Sequence, residues 1–430
     1  MINVYDLHFK KEIVPLFDHL HNEFSRMALL ELLSEVPDSP EEVYERQDVL
    51  KAFLANGQLF TPFSYSRVEF NQVYGYIEDK KIQRTHLAGH SLKLQLLFTR
   101  SQSNREKGGL SQLYYFLFKV HQFYFARLDR RPFPQPFRER IANISRMLAH
   151  LQVEKYYTIG REKGFSISDV ARVMEWLEEK ISSGEMDVFW KDFFLFEAYY
   201  SIAKGIEMHH FVFPVFNDAG LFIDEFYHPL LKYPVRNSLE VKDAVTLITG
   251  PNMSGKSTLL KSVGLCVYLA HLGLAVPAEK CELPFFKVIS VAINLNDDMK
   301  SGYSHFMQEI QTLKKVVLEA HGNSRCFAIF DELFRGTNIE DALAISTTTI
   351  LGLTAFTGSF FFISTHLHQL EQIAGGGKIN TCCIECRLDD DMPVFTYKLK
   401  TGWSDLKIGQ IIFRQEGLND LLTPPTATIP

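Results

Sequence analysis

The chain has 430 residues, of which 46% are apolar and 22% charged, and its formal net charge is −6. That length and apolar share predict two or three globular domains, and the acidic balance excludes a surface that is basic throughout, so any hold on nucleic acid must come from a local patch. Asp6, Lys10, Lys11 and Glu12 argue against a secretory signal, no run of about 18 apolar residues offers a membrane-spanning helix, and six scattered cysteines fit a reduced, cytoplasmic setting.

Residues 1–204 read as mainly helical. Phe17, Leu20, Phe24 and Met27 recur at helical spacing, as do Ile141, Ile144, Leu148 and Leu151, and then Val170, Val173, Leu177 and Ile181. The simplest role for all three stripes is core packing. Ser39-Pro40 before an acidic stretch predicts a capped helix start. Gly108-Gly109 and Arg131-Pro132-Phe133-Pro134-Gln135-Pro136 are expected to break the helical run and serve as connections. Around them Arg127, Arg130, Arg131 and Arg138 interleave with aromatic residues. Such a patch can clamp phosphates and stack on bases; the competing reading is a solvated loop whose arginines pair with nearby acids.

From about Gly205 the texture changes to short apolar, β-branched runs punctuated by glycine and proline, which predicts an α/β domain over 205–422. The tail 423–430, rich in proline and threonine, is expected to be disordered. The strand-like run Ala244 to Ile248 leads into Thr249-Gly250-Pro251-Asn252-Met253-Ser254-Gly255-Lys256-Ser257-Thr258, which satisfies G-x-x-x-x-G-K-[ST]. This is the pattern of a P-loop. Its glycines let the backbone curl so that successive N–H groups face phosphate oxygens, and Leu259, Leu260, Val263 and Val267 predict the helix whose dipole assists them. Residues Gly250 to Thr258 are thus the candidate ATP cradle, with Lys256 reaching the β/γ-phosphates and Ser257 ligating Mg²⁺.

A second apolar run, Cys326 to Phe330, ends in Asp331-Glu332, as a buried strand does when it delivers carboxylates to a sheet edge. Asp331 is the candidate Mg²⁺ ligand and Glu332 the candidate base for the attacking water; a solvated acidic turn is the plainer alternative. The run Ser359 to Ser364 ends in Thr365-His366, where the histidine either senses the γ-phosphate or is a hydrogen-bonded residue at the sheet edge. Cys383-x-x-Cys386 has half the spacing of a zinc site, but no second pair follows and the context is that of a strand.

Five segments in this order resemble the motifs of the MutS family, a branch of the ABC-type P-loop ATPases. Tyr227-His228-Pro229 is similar to the family's GRHP entry, and Thr249 to Thr258 to its TGPNMxGKST loop. Asp297 to Glu309 resembles the DD…SGxSTFMxEM segment that corresponds to the ABC signature, Asp331 to Thr337 resembles DEIGRGT, and Ser364 to Leu370 resembles the ATHYxEL switch. Ser25 to Leu30 and Ser39 to Val49 resemble the start of the family's helical core domain. The departures are Phe334 in place of glycine, His305 in place of threonine, and Ile408-Gly409 where the family has tyrosine-glycine. Phe334 is expected to put a large ring beside the nucleotide interface, in a turn that cannot adopt positive φ cheaply.

The resemblance implies an ABC-type, MutS domain V-like ATPase domain preceded by a helical core and lever domain, whose arms are shortened to fit 1–204. It implies no counterpart of the family's mismatch-reading domain. It also implies ATP and Mg²⁺ as ligands, a homodimer in which Ser304 of one subunit covers the γ-phosphate held by the other, and DNA as partner. Glu332, His366 and, in trans, Ser304 are the catalytic residues so implied. Two other functions compete: an ABC-type ATPase serving a protein partner, and a nucleotide-dependent scaffold with weak hydrolysis.

Overall fold

Runs that are almost wholly apolar become strands buried along their full length, as parallel strands covered on both faces must be. These are β5 (Val245–Thr249), β7 (Val288–Ala292), β8 (Cys326–Phe330) and β9 (Phe360–Ser364). The structure is a computed structural model and describes all residues except 61–64, 84–99, 294–304, 323, 335, 376, 390–391, 405, 407 and 423–430. Its chain folds into two compact units, one of Met1–Val14, Val36–Val43 and His209–Pro430, the other of Pro15–Glu35 and Tyr44–Met208.

The first unit is α/β. Its larger sheet has the order β1-β7-β8-β9-β5-β10-β11, with β1 at Ile2–Asn3, β10 at Ile379–Asp389 and β11 at Met392–Thr401. All neighbours run parallel except β10 and β11, which form an antiparallel pair at one edge. A smaller sheet joins β2 (Val215–Phe216), β6 (Lys280–Leu283), β3 (Leu221–Phe226) and β4 (Asn237–Val241) in that order. The division departs from the expected boundary at 204. The first fourteen residues are in the α/β unit, because Ile2 and Asn3 pair with Ile289 and Ser290 and so extend the sheet beyond β7.

The second unit is helical, with α1 (Glu23–Ser34), most of α2 (Pro40–Leu54), α3 (Arg67–Gln83), α4 (Arg100–Val120), α5 (Gln135–His150), α6 (Val153–Glu162), α7 (Ile167–Ser182) and nearly all of α8 (Glu185–His209). Two of the three expected stripes line its core: Ile141, Ile144 and Leu148 on α5, and Val170, Val173, Leu177 and Ile181 on α7. Of the stripe Phe17 to Met27, Phe17 is buried but Phe24 and Met27 are exposed. Phe17 precedes α1, whose buried face is Ser25, Leu29 and Leu33, and Met27 is 65% exposed.

Gly108-Gly109 is not a connection either, since α4 runs through both. A Cβ on Gly109 would come within 2.4 Å of the Tyr76 ring, so this glycine lets α3 and α4 approach closely, at the helix-propensity cost of about 1 kcal/mol. The proline-rich segment before α5 is a connection, as expected. Inside the helical unit the Glu197 carboxylate is fully buried and accepts hydrogen bonds from Asn22 Nδ2 at 2.8 Å, Ser25 Oγ at 2.7 Å, Tyr65 Oη at 2.7 Å and Tyr124 Oη at 3.4 Å. No described helix is long and apolar enough to cross a membrane.

Candidate functional site

The parallel strands β5, β8 and β9 end on the same side of the sheet, and their C-terminal residues converge there. β5 continues through residues 250–255 into α9 (Lys256–His271). Gly250 (φ 142°) and Gly255 (φ 96°) adopt backbone that side-chain-bearing residues rarely occupy, and a Cβ on Gly250 would lie 3.0 Å from Ser254 Oγ. Met253 also has positive φ and is 73% exposed, while Asn252 is exposed beside it. Among the described residues no side chain caps α9, so its first N–H groups keep their donor capacity, and the buried Ser254 Oγ finds no hydrogen-bond partner. Such a donor-rich concavity at a helix N-terminus suits a phosphate chain.

Lys256 is buried, with Nζ donating to Gly250 O at 3.0 Å and Pro251 O at 3.3 Å. Burial pulls its ammonium below the usual lysine range, opposed by the nearby Glu332 and Asp331 carboxylates. The Ser257 hydroxyl donates to Asp331 Oδ2 at 2.5 Å, and Ser364 Oγ donates to Asp331 Oδ1. His366 Nε2 lies 2.6 Å from Glu332 Oε1 and 3.2 Å from Lys256 Nζ. A proton on Nε2 satisfies the carboxylate and leaves the ammonium to the two loop carbonyls, which assigns the tautomer. Lys256, Ser257, Asp331, Glu332 and His366, drawn from three separate stretches of the chain, thus converge on one site.

One hydroxyl and one carboxylate side by side fit a small hard cation such as Mg²⁺, which is commonly held by one or two carboxylates and the substrate's phosphates. Among the described residues no group of three or more His, Cys, Asp or Glu side chains has metal-binding geometry, Cys383 and Cys386 included. Both are half-buried residues of β10.

The turn after β8 is held at unusual dihedrals, with Glu332 at φ 55° and Phe334 at φ 65°. The Phe334 ring is 1% exposed and packs edge-on against Phe306 at 6.1 Å, and the turn takes up positive φ although, as expected, not cheaply. Each such residue costs about 1–2 kcal/mol, which ring burial of about 1.5–3 kcal/mol offsets.

Beside the loop lies a cavity of about 320 Å³ lined by Tyr227, His228, Tyr233, Asn237, Thr258 and Tyr397, among others. Its size and aromatic lining suit a planar ligand. Asn237 fixes the wall by donating to Tyr397 O at 3.0 Å and accepting from Leu399 N at 2.7 Å. Burial, aided by Lys261, holds His228 below the usual histidine value. Tyr233, Asn237 and Tyr397 carried no motif; Asn237 on β4 meets Tyr397 on β11 only in the fold, and Tyr233 lies in the segment before β4, which sequence spacing does not reveal. Ser364 was legible in principle, as the hydroxyl that ends a buried strand just before Thr365-His366.

Ser304 lies outside the described residues. In the arginine patch, Phe125, Phe133 and Phe137 are buried in the helical core, so the expectation that they stack on bases fails. Arg131 pairs with Asp129 at 2.7 Å, Arg130 donates to Ser145 Oγ at 2.8 Å, Arg138 donates to Phe133 O at 3.3 Å, and Arg127 lies over the Phe123 ring at 6.0 Å. What survives of that expectation is the exposed guanidinium groups of Arg127, Arg131 and Arg138.

Residues 246–420 match the family model described as MutS domain V. The chain is similar to proteins named DNA mismatch repair protein MutS. That of Streptococcus thermophilus is 31% identical over 297 residues, covering 62% of this chain and 34% of that protein. That of a Geobacillus species is 32% identical over 219 residues (49% and 25%), and that of Bacillus cytotoxicus 33% identical over 235 residues (52% and 26%). The chain thus spans about a quarter to a third of the length of these curated relatives.

Proposed function

Because the chain belongs to the MutS family, we propose that it binds ATP with Mg²⁺ and hydrolyses it, using the cycle to switch a dimer that acts on DNA in mismatch repair or a related repair process. The observation that carries the reading is the convergence of Lys256, Ser257, Asp331, Glu332 and His366 at the ends of three parallel strands, with Ser257 hydrogen-bonded to Asp331 and His366 to Glu332. In this reading the loop 250–255 and the first turn of α9 wrap the phosphates, Lys256 turns from the loop carbonyls to the β/γ-phosphates, and the tyrosine-lined cavity takes the base. Mg²⁺ held at Ser257 and Asp331 would neutralise charge on the transferring phosphoryl group. Glu332, oriented by His366, accepts the proton of the attacking water. A P-loop, ABC-type architecture for residues 205–422, and a helical core and lever domain before it, belong to the same proposal.

The dimer is proposed to share its sites, each covered by Ser304 of the partner subunit. The exposed arginines near α5 are proposed phosphate contacts only, because phosphate contacts position a protein without reading sequence. Replacing Glu332 by Gln tests the core of the reading. The amide keeps shape and hydrogen bonding but not basicity, so ATP affinity should persist while turnover falls by roughly 10²–10⁴-fold. Equal turnover in both proteins would remove Glu332 from the chemistry.

A further inference from the structure

Glu332 is aimed by a turn that does not hold its own shape, since two of its residues sit in the left-handed region without being glycine. Its supports come from two sides. From β9, Ser364 Oγ accepts the Glu332 N–H at 2.9 Å. From α10 (His305–His321), the Glu309 carboxylate accepts the Phe334 N–H at 2.8 Å. Glu309 is 3% exposed, so this is a carboxylate taken out of water to serve a backbone donor. The same face of α10 meets the turn twice more. The Phe306 ring packs on Phe334, and a Cβ on Gly336 would lie 3.1 Å from Phe306 Cβ, so any larger residue there would crowd the helix.

We propose that Glu309 is a positioning residue for ATP hydrolysis, through which α10 sets the aim of Glu332; this rests on the hydrolytic reading above. Glu309 touches neither nucleotide nor water in this account. It fixes Phe334 at positive φ, which keeps the preceding turn wound and the Glu332 carboxylate on His366. When the clamp is lost, the Phe334 N–H is buried without its carboxylate and the turn relaxes toward ordinary dihedrals. The base then leaves its line of attack. The phosphate cradle is carried by β5 and α9 and is not strained by this change.

The test uses the full chain with Mg²⁺ and measures two quantities for each variant, the single-turnover hydrolysis rate and the affinity for a fluorescent ATP analogue. Glu309→Ala should lower the rate by about 10–100-fold, the scale of a misplacement near 1 Å, with affinity kept within about threefold. Glu309→Gln retains an oxygen to accept the Phe334 N–H and should stay within about threefold of wild type in rate. An alanine variant as fast as wild type overturns the proposal, and so does a parallel loss of rate and affinity, which marks a merely structural role. Should the alanine variant melt below the assay temperature, Phe306→Leu loosens the same contact with little loss of apolar volume; a rate within twofold of wild type then overturns it. A wild-type chain that binds the nucleotide but does not hydrolyse it would sink the hydrolytic reading itself, and this role with it.

Discussion

At Phe334 a single side chain reconciles two opposed energies. Its backbone is left-handed, a conformation for which glycine is the cheap solution, yet its ring is almost wholly buried against Phe306. Substituting glycine relieves about 1–2 kcal/mol of strain but removes an aromatic side chain whose truncation typically costs about 3–5 kcal/mol. Packing therefore wins, and Phe334→Gly should destabilise the α/β unit by about 1–4 kcal/mol in urea unfolding. A variant more stable than wild type would mean that strain dominates. The sequence made the departure from glycine visible but not its remedy, because Phe306 approaches from a helix some thirty residues upstream and no local spacing connects the two.

Along α8, burial of Glu197 raises its carboxyl from the ordinary 4.5 to about 7, against the pull of four hydrogen-bond donors. The folded chain thus keeps a proton between about pH 4.5 and 7 that the unfolded chain releases. Stability from this group is fully present below that window and declines as pH rises through it, by on the order of 3 kcal/mol at most. Comparing urea unfolding of wild type and Glu197→Gln at pH 5 and pH 8 isolates it: the fall in stability toward pH 8 should be smaller in the variant, and an identical fall in both would assign the pH dependence elsewhere. Elements differ in how legible they are. β5, β8 and β9 were plain because buried parallel strands are mostly apolar or β-branched. Gly108-Gly109 misled because a glycine that breaks a helix and one that admits a neighbouring ring look alike in sequence; only Tyr76 distinguishes them. The two-residue β1 gave no signal at all, and the cavity wall at Asn237 and Tyr397 depends on strands that meet only in the fold.

For the whole molecule, the shared-site proposal has a sharp consequence. Ser304→Ala should spare nucleotide affinity in an isolated subunit, whereas Lys256→Ala should abolish it. A heterodimer of the two contains one site with both defects and one with neither, so mixing them should restore part of the ATPase activity. Two folded, heterodimerising variants that stay inactive together would exclude sites shared in this way. The pairing of β1 with β7 adds a constraint in time. Ile2 and Asn3 are made before the helical unit, but their partners Ile289 and Ser290 leave the ribosome nearly three hundred residues later, after all of it. At the usual 5–20 residues per second that is a wait of roughly 15–60 s. Until then the N-terminal strand is an unpaired edge, and a fragment begun at residue 209 would leave β7 as one permanently, open to pairing with another chain. The α/β unit is thus complete only when β1, made before the helical unit, is still free to return to it.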